Sequence, residues 1–179
     1  MAACFQPRDG EPGPGIEPPI DLFAPDASTT PPCTRPDPSP LSALHVRVRT
    51  STGGGRFAPR NVGAIWIETS AGAFVKTLER WAAIRARYLT RFVQAANNNV
   101  VDAVTGATLV LHTTHEVTWD LTDLEQCEVP AGDYRVVMET TDQNAPGASH
   151  VIPFSKDQTG TTIQPADAPQ FHDLQLVLE

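Results

Sequence analysis

Leu44-His45-Val46-Arg47-Val48-Arg49 alternates apolar and polar residues with period two, the pattern of a strand with one buried face. Outward from it, Ser51-Thr52-Gly53-Gly54-Gly55 reads as a loop and Val62 to Glu68 as a second strand. Phe74 to Leu78 reads as a third, with Ala71-Gly72 turning between the two. The period then changes. Trp81, Arg85, Tyr88, Leu89, Phe92 and Val93 fall on one side of a helix, and Arg80, Arg87 and Arg91 on another. A helix is therefore expected over about 80–96, ended by Asn97-Asn98-Asn99. Leu109 to Trp119 reads as mostly strand, and strands near Val151–Phe154 and Leu174–Leu178 close the domain. The expectation is a mainly β domain over 43–179 with one inserted helix.

Residues 1–42 are different. They hold eleven of the seventeen prolines and carry six acidic residues against Arg8 and Arg35. Such a segment buries too little apolar surface to offset its ordering entropy. It is expected to be a disordered, Pro-rich, extended tether, with Ile20, Leu22 and Phe23 its only apolar cluster. A total of 179 residues suits one domain plus this tail. A net charge of −8 argues against nucleic acid as a partner. No apolar run reaches membrane-spanning length.

Met1-Ala2-Ala3-Cys4 resembles the end of a bacterial lipoprotein signal, which makes Cys4 the candidate lipid-bearing residue. Cys33 and Cys127 then remain, either as a disulfide formed in an oxidising compartment or as two unpaired cysteines. No C-x-x-C is present, so neither a thioredoxin-type site nor c-type haem attachment is supported.

Asp102-Ala103-Val104-Thr105-Gly106-Ala107-Thr108 reads D-x-x-T-G-A-T. This resembles the acceptor motif of proteins that carry FMN covalently, through its phosphate, on the last threonine. The resemblance implies that Thr108 is the anchor. It also implies a separate flavin transferase that takes FAD, holds it with a divalent cation and moves the FMN half onto the hydroxyl, since a threonine oxygen is a poor nucleophile unaided. Gly106 would let the backbone bend and be approached closely. Ala107 would add almost no bulk, and Asp102 and Thr105 would hydrogen-bond the loop or the surroundings of the phosphate. On the residues alone, Thr105-Gly106 is equally a turn between Val100-Val101 and Leu109-Val110, capped by Asp102.

A tethered flavin needs no nucleotide-binding fold, and neither G-x-G-x-x-G nor G-x-x-x-x-G-K occurs. Trp81 and Tyr88 are candidates to stack on the ring, with core packing as the alternative, the more so for Phe92. Arg80, Arg85, Arg87 and Arg91 form a basic patch suited to the phosphate, or else a solvated face partnered by residues such as Asp120 and Asp123. In a strand from Thr108, His112 shares its face and would lie beside the flavin, while His115 faces the other way. That makes the two histidines a poor metal pair unless the segment is helical. His45, His150 and His172 are scattered, and Ser149-His150 is no nucleophile elbow.

Trp119-Asp120-Leu121-Thr122-Asp123 and Val129-Pro130-Ala131-Gly132-Asp133-Tyr134 form the pattern W-D-x-x-D…V-P-x-G-x-Y. It resembles the Ig-like domain of flagellar hook-capping proteins, where the segment is a loop between antiparallel strands and the tyrosine packs inward. Glu125-Gln126-Cys127 departs from the glycine turn usual there. The whole combination over about 43–179 is similar to the periplasmic proteins grouped as domain of unknown function 2271. That resemblance implies an Ig-like antiparallel β-sandwich, covalent FMN and electron transfer outside the cytoplasm. The leading expectation is a bacterial periplasmic or cell-surface, lipid-anchored electron carrier between a membrane-bound donor and an extracytosolic acceptor. The alternatives are a non-redox Ig-like binding or scaffold lipoprotein, and a periplasmic metal-binding protein using His112 and His115.

Overall fold

A computed structural model describes Cys33, residues 42–158 and residues 160–179. The chain divides into Met1–Pro32 and Cys33–Glu179, and every element below belongs to the second unit. Cys4, the Ile20–Phe23 cluster and the rest of the expected tether, apart from Cys33 and Ser42, lie outside the described residues.

In chain order the strands are β1 (Leu44–Thr50), β2 (Val62–Thr69) and β3 (Phe74–Trp81). A 3₁₀ turn (Ile84–Tyr88) and the helix α1 (Thr90–Ala96) follow. Then come β4 (Val104–Gly106), β5 (Thr114–Trp119), β6 (Asp133–Thr141), β7 (Ala148–Ser155), β8 (Thr162–Ile163) and β9 (Phe171–Leu178). They build a mainly β sandwich. One sheet has the order β5-β1-β9-β8, the other β4-β3-β2-β6-β7.

Alternation decides which side chains meet. In β1, Leu44, Val46 and Val48 point into the core that the two sheets share with Ile65, Ile67, Val136, Met138 and Leu176. β2 is buried along nearly its whole length because both of its faces are covered. Val62, Ala64 and Trp66 on its outer side pack beneath the 3₁₀ turn and α1, against Ala86, Leu89 and Phe92. Helix α1 has no side-chain cap of its own. The Glu139 carboxylate of β6 takes that place, accepting the Phe92 N–H at 2.9 Å and the Arg91 N–H at 3.3 Å. Burial nevertheless raises the Glu139 pKa above its ordinary value, against these hydrogen bonds.

Four expectations are corrected. The helix does not span 80–96: residues 80 and 81 complete β3, whose Arg80 pairs with Ala64 of β2, and α1 begins only at Thr90. Residues 109–113 are not strand. Leu109 makes one isolated bridge to Asn61, and the chain then crosses from one sheet to the other before β5 begins. The segment between Trp119 and Tyr134 likewise joins strands of different sheets, and the sheets are not wholly antiparallel, since β4 runs parallel to β3.

The end of the sandwich that carries this 120–132 segment is closed by satisfied contacts. Tyr134 packs inward against Phe154 and Trp119, and its hydroxyl donates to the Pro130 carbonyl at 2.8 Å. The Trp119 indole donates to the Thr122 carbonyl at 2.8 Å. Two buried lysines have oxygen partners: Lys76 reaches Thr122 Oγ1 at 2.9 Å, and Lys156 reaches Glu128 at 2.9 Å. Glu68, also buried, receives the Arg135 guanidinium at 2.7 Å and the Trp66 indole at 2.8 Å. Cys33 and Cys127 are joined by a disulfide, with Cα atoms 5.4 Å apart.

Candidate functional site

The D-x-x-T-G-A-T segment lies on an open edge. Asn97 and Asn98 end α1 in the left-handed conformation, and Asp102, at φ 57°, turns the chain back along β3. Val104, Thr105 and Gly106 then pair with Glu79, Arg80 and Trp81. β4 is the outermost strand of its sheet, and all three of its residues are exposed. Thr108, just beyond it, is partly exposed, and its hydroxyl takes part in no hydrogen bond among the described residues.

Gly106 is informative by contrast with Gly63. A Cβ at Gly63 would strike the Trp81 ring at 2.1 Å, so packing demands glycine there. At Gly106 a Cβ would meet nothing closer than 3.9 Å, and φ is not in the left-handed region. The fold does not need glycine at 106, and the segment is extended rather than bent. Asp102 sits at the opposite end of β4 from Thr108 and accepts a hydrogen bond from Gln126 Nε2. Beside β4, a groove of about 600 Å³ runs between the edges of the two sheets, lined by Leu78, Asp102, Val104 and Val117 among others.

The expected neighbours of Thr108 are placed as follows. Trp81 is no exposed stacking platform: it is buried, donates to Asn61 Oδ1 at 2.8 Å and stacks on His115 at 3.9 Å. Asn61 in turn exchanges both backbone hydrogen bonds with Leu109, each at 3.0 Å, which ties the residue after Thr108 to the Trp81 end of β3. Tyr88 is partly exposed, with the Arg87 guanidinium 5.0 Å above its ring. Phe92 is core, edge-on to Trp66. Arg85 lies 4.6 Å over the Phe57 ring and donates to the Gln143 carbonyl at 2.7 Å. Among the described residues Asp120 and Asp123 partner no arginine: the first pairs with Lys76, and the second accepts backbone N–H groups of Glu125 and Cys127.

His112 is not in a strand, so the face it was expected to share with Thr108 does not exist. Neither of its ring nitrogens has a hydrogen-bond partner among the described residues. Burial lowers its pKa, Asp142 opposes that, and His115 adds to it. His115 is buried, with Nδ1 at 2.9 Å from Glu79 Oε2 and Nε2 unpartnered. The two histidines thus lie within electrostatic range of each other. No group of three or more metal-ligating side chains occurs among the described residues.

Residues that the sequence did not single out complete this end. Asp142 gathers the glycine loop through the Thr52 hydroxyl at 2.6 Å and the Gly53 and Gly55 N–H groups at 3.0 Å each. Burial would raise its pKa, but these hydrogen bonds prevail and hold it below the ordinary carboxylate range. Phe57 receives both Arg56, at 5.8 Å, and Arg85. The Asp142 contacts join residues 87 to 90 positions apart, and no local motif announces them.

A mainly β sandwich whose one edge displays an exposed, threonine-bearing strand defines the class. Residues 56–168 match the family model described as "Predicted periplasmic protein (DUF2271)", and the chain belongs to that family. No curated protein and no solved structure matches it. No helix among the described residues is long and apolar enough to cross a membrane.

Proposed function

We propose that this protein is an extracytosolic electron carrier holding FMN through a phosphoester to Thr108. The supporting observation is the display of D-x-x-T-G-A-T on an unpaired sheet edge, with the Thr108 hydroxyl uncommitted. A transferase cleft needs an extended, reachable segment, and a glycine that the fold itself does not require leaves room for such an approach. Unpartnered nitrogens on Arg80, Arg85 and His112 suit a phosphate group.

In the attachment step the Thr108 oxygen bonds to the FMN-side phosphorus of FAD. The phosphoanhydride bond breaks, AMP leaves with its electron pair, and the hydroxyl proton passes to the transferase base. When bound, the flavin supplies one- and two-electron redox chemistry. The chain supplies position and charge. The β3–β4 pairing and the Asn61–Leu109 bridge would hold the chain on either side of the anchor. Cys4 is the proposed lipid anchor of the same carrier.

Co-expression with a flavin transferase, followed by intact mass and visible spectrum, tests the reading. The expected result is a gain of one FMN, abolished in Thr108→Ala. Gly106→Ala should leave stability within about 0.5 kcal/mol, as an uncrowded site does, yet slow the transfer. An unmodified wild-type chain under these conditions would contradict the carrier and favour a non-redox binding protein.

A further inference from the structure

Eleven basic residues lie in 42–179, and six of them pair with carboxylates: Arg47, Arg49, Lys76, Arg91, Arg135 and Lys156. The other five, Arg56, Arg60, Arg80, Arg85 and Arg87, pair with no carboxylate among the described residues. All five fall within residues 56–60 and 80–87. Arg56 and Arg85 share the Phe57 ring. Arg60 precedes Asn61, which is bridged to Leu109, and Arg80 is in register with Thr105. Arg87 belongs to the 3₁₀ turn that follows β3.

The exposed apolar residues lie on and around the segment that pairs with residues 61 and 79–81. Among the described residues the large hydrophobic side chains at least 50% exposed are Ile84, Val101, Val104, Val110 and Leu111. Four lie within residues 101–111, and Ile84 begins the arginine-bearing turn. Among the described residues of a chain of net charge −8, the unmatched positive charge and the exposed apolar side chains thus fall in segments that pair along one sheet edge.

We infer that this end of the sandwich is the docking face for an acidic protein partner, with carboxylates set around an apolar contact. Charge complementarity selects the partner's sign. A phosphodiester on Thr108 would offset only one of the five positive charges, so the face is unmatched with or without that group. The open edge of β4 favours a protein over a lipid surface, because its backbone N–H and C=O groups can be met by another strand but not by acyl chains. The inference stands on the unmodified chain, so its failure is distinct from failure of the flavin reading.

The test is a titration of the full ¹⁵N-labelled, unmodified chain with a peptide rich in Asp and Glu around a central Leu and Phe. The expected amide shifts are confined to residues 56–61, 80–88 and 101–111, with affinity falling about tenfold between low salt and 0.3 M, as for steered acidic–basic contacts. Arg60→Gln with Arg87→Gln, two exposed side chains outside the core, should weaken binding and flatten the salt dependence. Val110→Ser should weaken it with the salt dependence kept. Shifts spread over the whole surface, equal binding of a Lys-rich peptide, or full affinity in the arginine variants would overturn the inference. So would binding to phosphatidylglycerol vesicles, through the same residues, in preference to the peptide. A rise in affinity on neutralising Glu17, Asp21 and Asp26 would also overturn it, by making this chain's own acidic segment the occupant.

Discussion

The two ends of the sandwich follow opposite rules. At the end closed by residues 120–132, buried polar groups have partners: Lys76 with Thr122, Lys156 with Glu128, Tyr134 with Pro130 and Glu68 with Arg135. At the Thr108 end some do, as Trp81 with Asn61 and Asp142 with the glycine loop, but others do not. Every buried side-chain polar atom without a hydrogen-bond partner in the described residues belongs to Arg80, Arg85, His112, His115, His150 or Gln170. Unpaired buried polar groups cost stability, so a native fold keeps few of them. Among the described residues no such atom lies at the closed end, and that distinguishes the two ends.

The largest expected effect breaks the closed end. Trp119 is almost wholly buried among Tyr134 and Phe154. Trp119→Ala should cost about 3–5 kcal/mol in denaturant unfolding, as for large aromatic truncations in cores. An effect near that of an exposed substitution would remove the distinction between the ends.

A smaller effect sharpens the open end. His112→Leu removes two unpartnered nitrogens and should change stability by less than about 1 kcal/mol. It should also alter the pH dependence. The folded-state pKa of His112 lies below 6.5, so the unfolded chain takes up its proton first. The stability tied to neutral His112 is therefore present above about pH 6.5 and is lost as pH falls through the folded pKa. His150, also lowered by burial, behaves in the same sense. Thermal unfolding at pH 7.5 and pH 5.5 should show a smaller gap in His112→Leu than in the wild type, and an unchanged gap would contradict the assignment.

The smallest expected effect is local. Asp142 has a depressed pKa, so its contribution is present above 3.8 and is lost as pH falls through the folded value. Amide exchange at Gly53 and Gly55 should quicken in acid, and Asp142→Asn should bring part of that quickening to neutral pH. Equal protection of these amides in the variant would show that the carboxylate does not hold the loop.

The sequence made the closed end more legible than the open one, for a physical reason. β1, β2 and β9 alternate or run apolar because their faces are buried, and burial writes itself into composition. β4 is three exposed residues long and carries no such period. Arg80 and Trp81 fitted a helical spacing, but pairing with β2 and a buried indole hold them in β3. The motif at 102–108 was visible as a string. That it occupies a sheet edge depends on register with residues 79–81, which no local pattern supplies. Likewise, whether an arginine is paired depends on residues far off in the chain: Arg47 meets Glu116, while Arg60 meets no carboxylate among the described residues.

The most direct measurement incubates the purified chain with a flavin transferase, FAD and Mg²⁺, then maps the flavin-bearing peptide. The expected result is one FMN per chain, on Thr108, with neighbouring Thr105 and Thr113 unmodified. A chain that stays unmodified, or one modified at another threonine, would contradict the claim that the open end is built around the Thr108 hydroxyl.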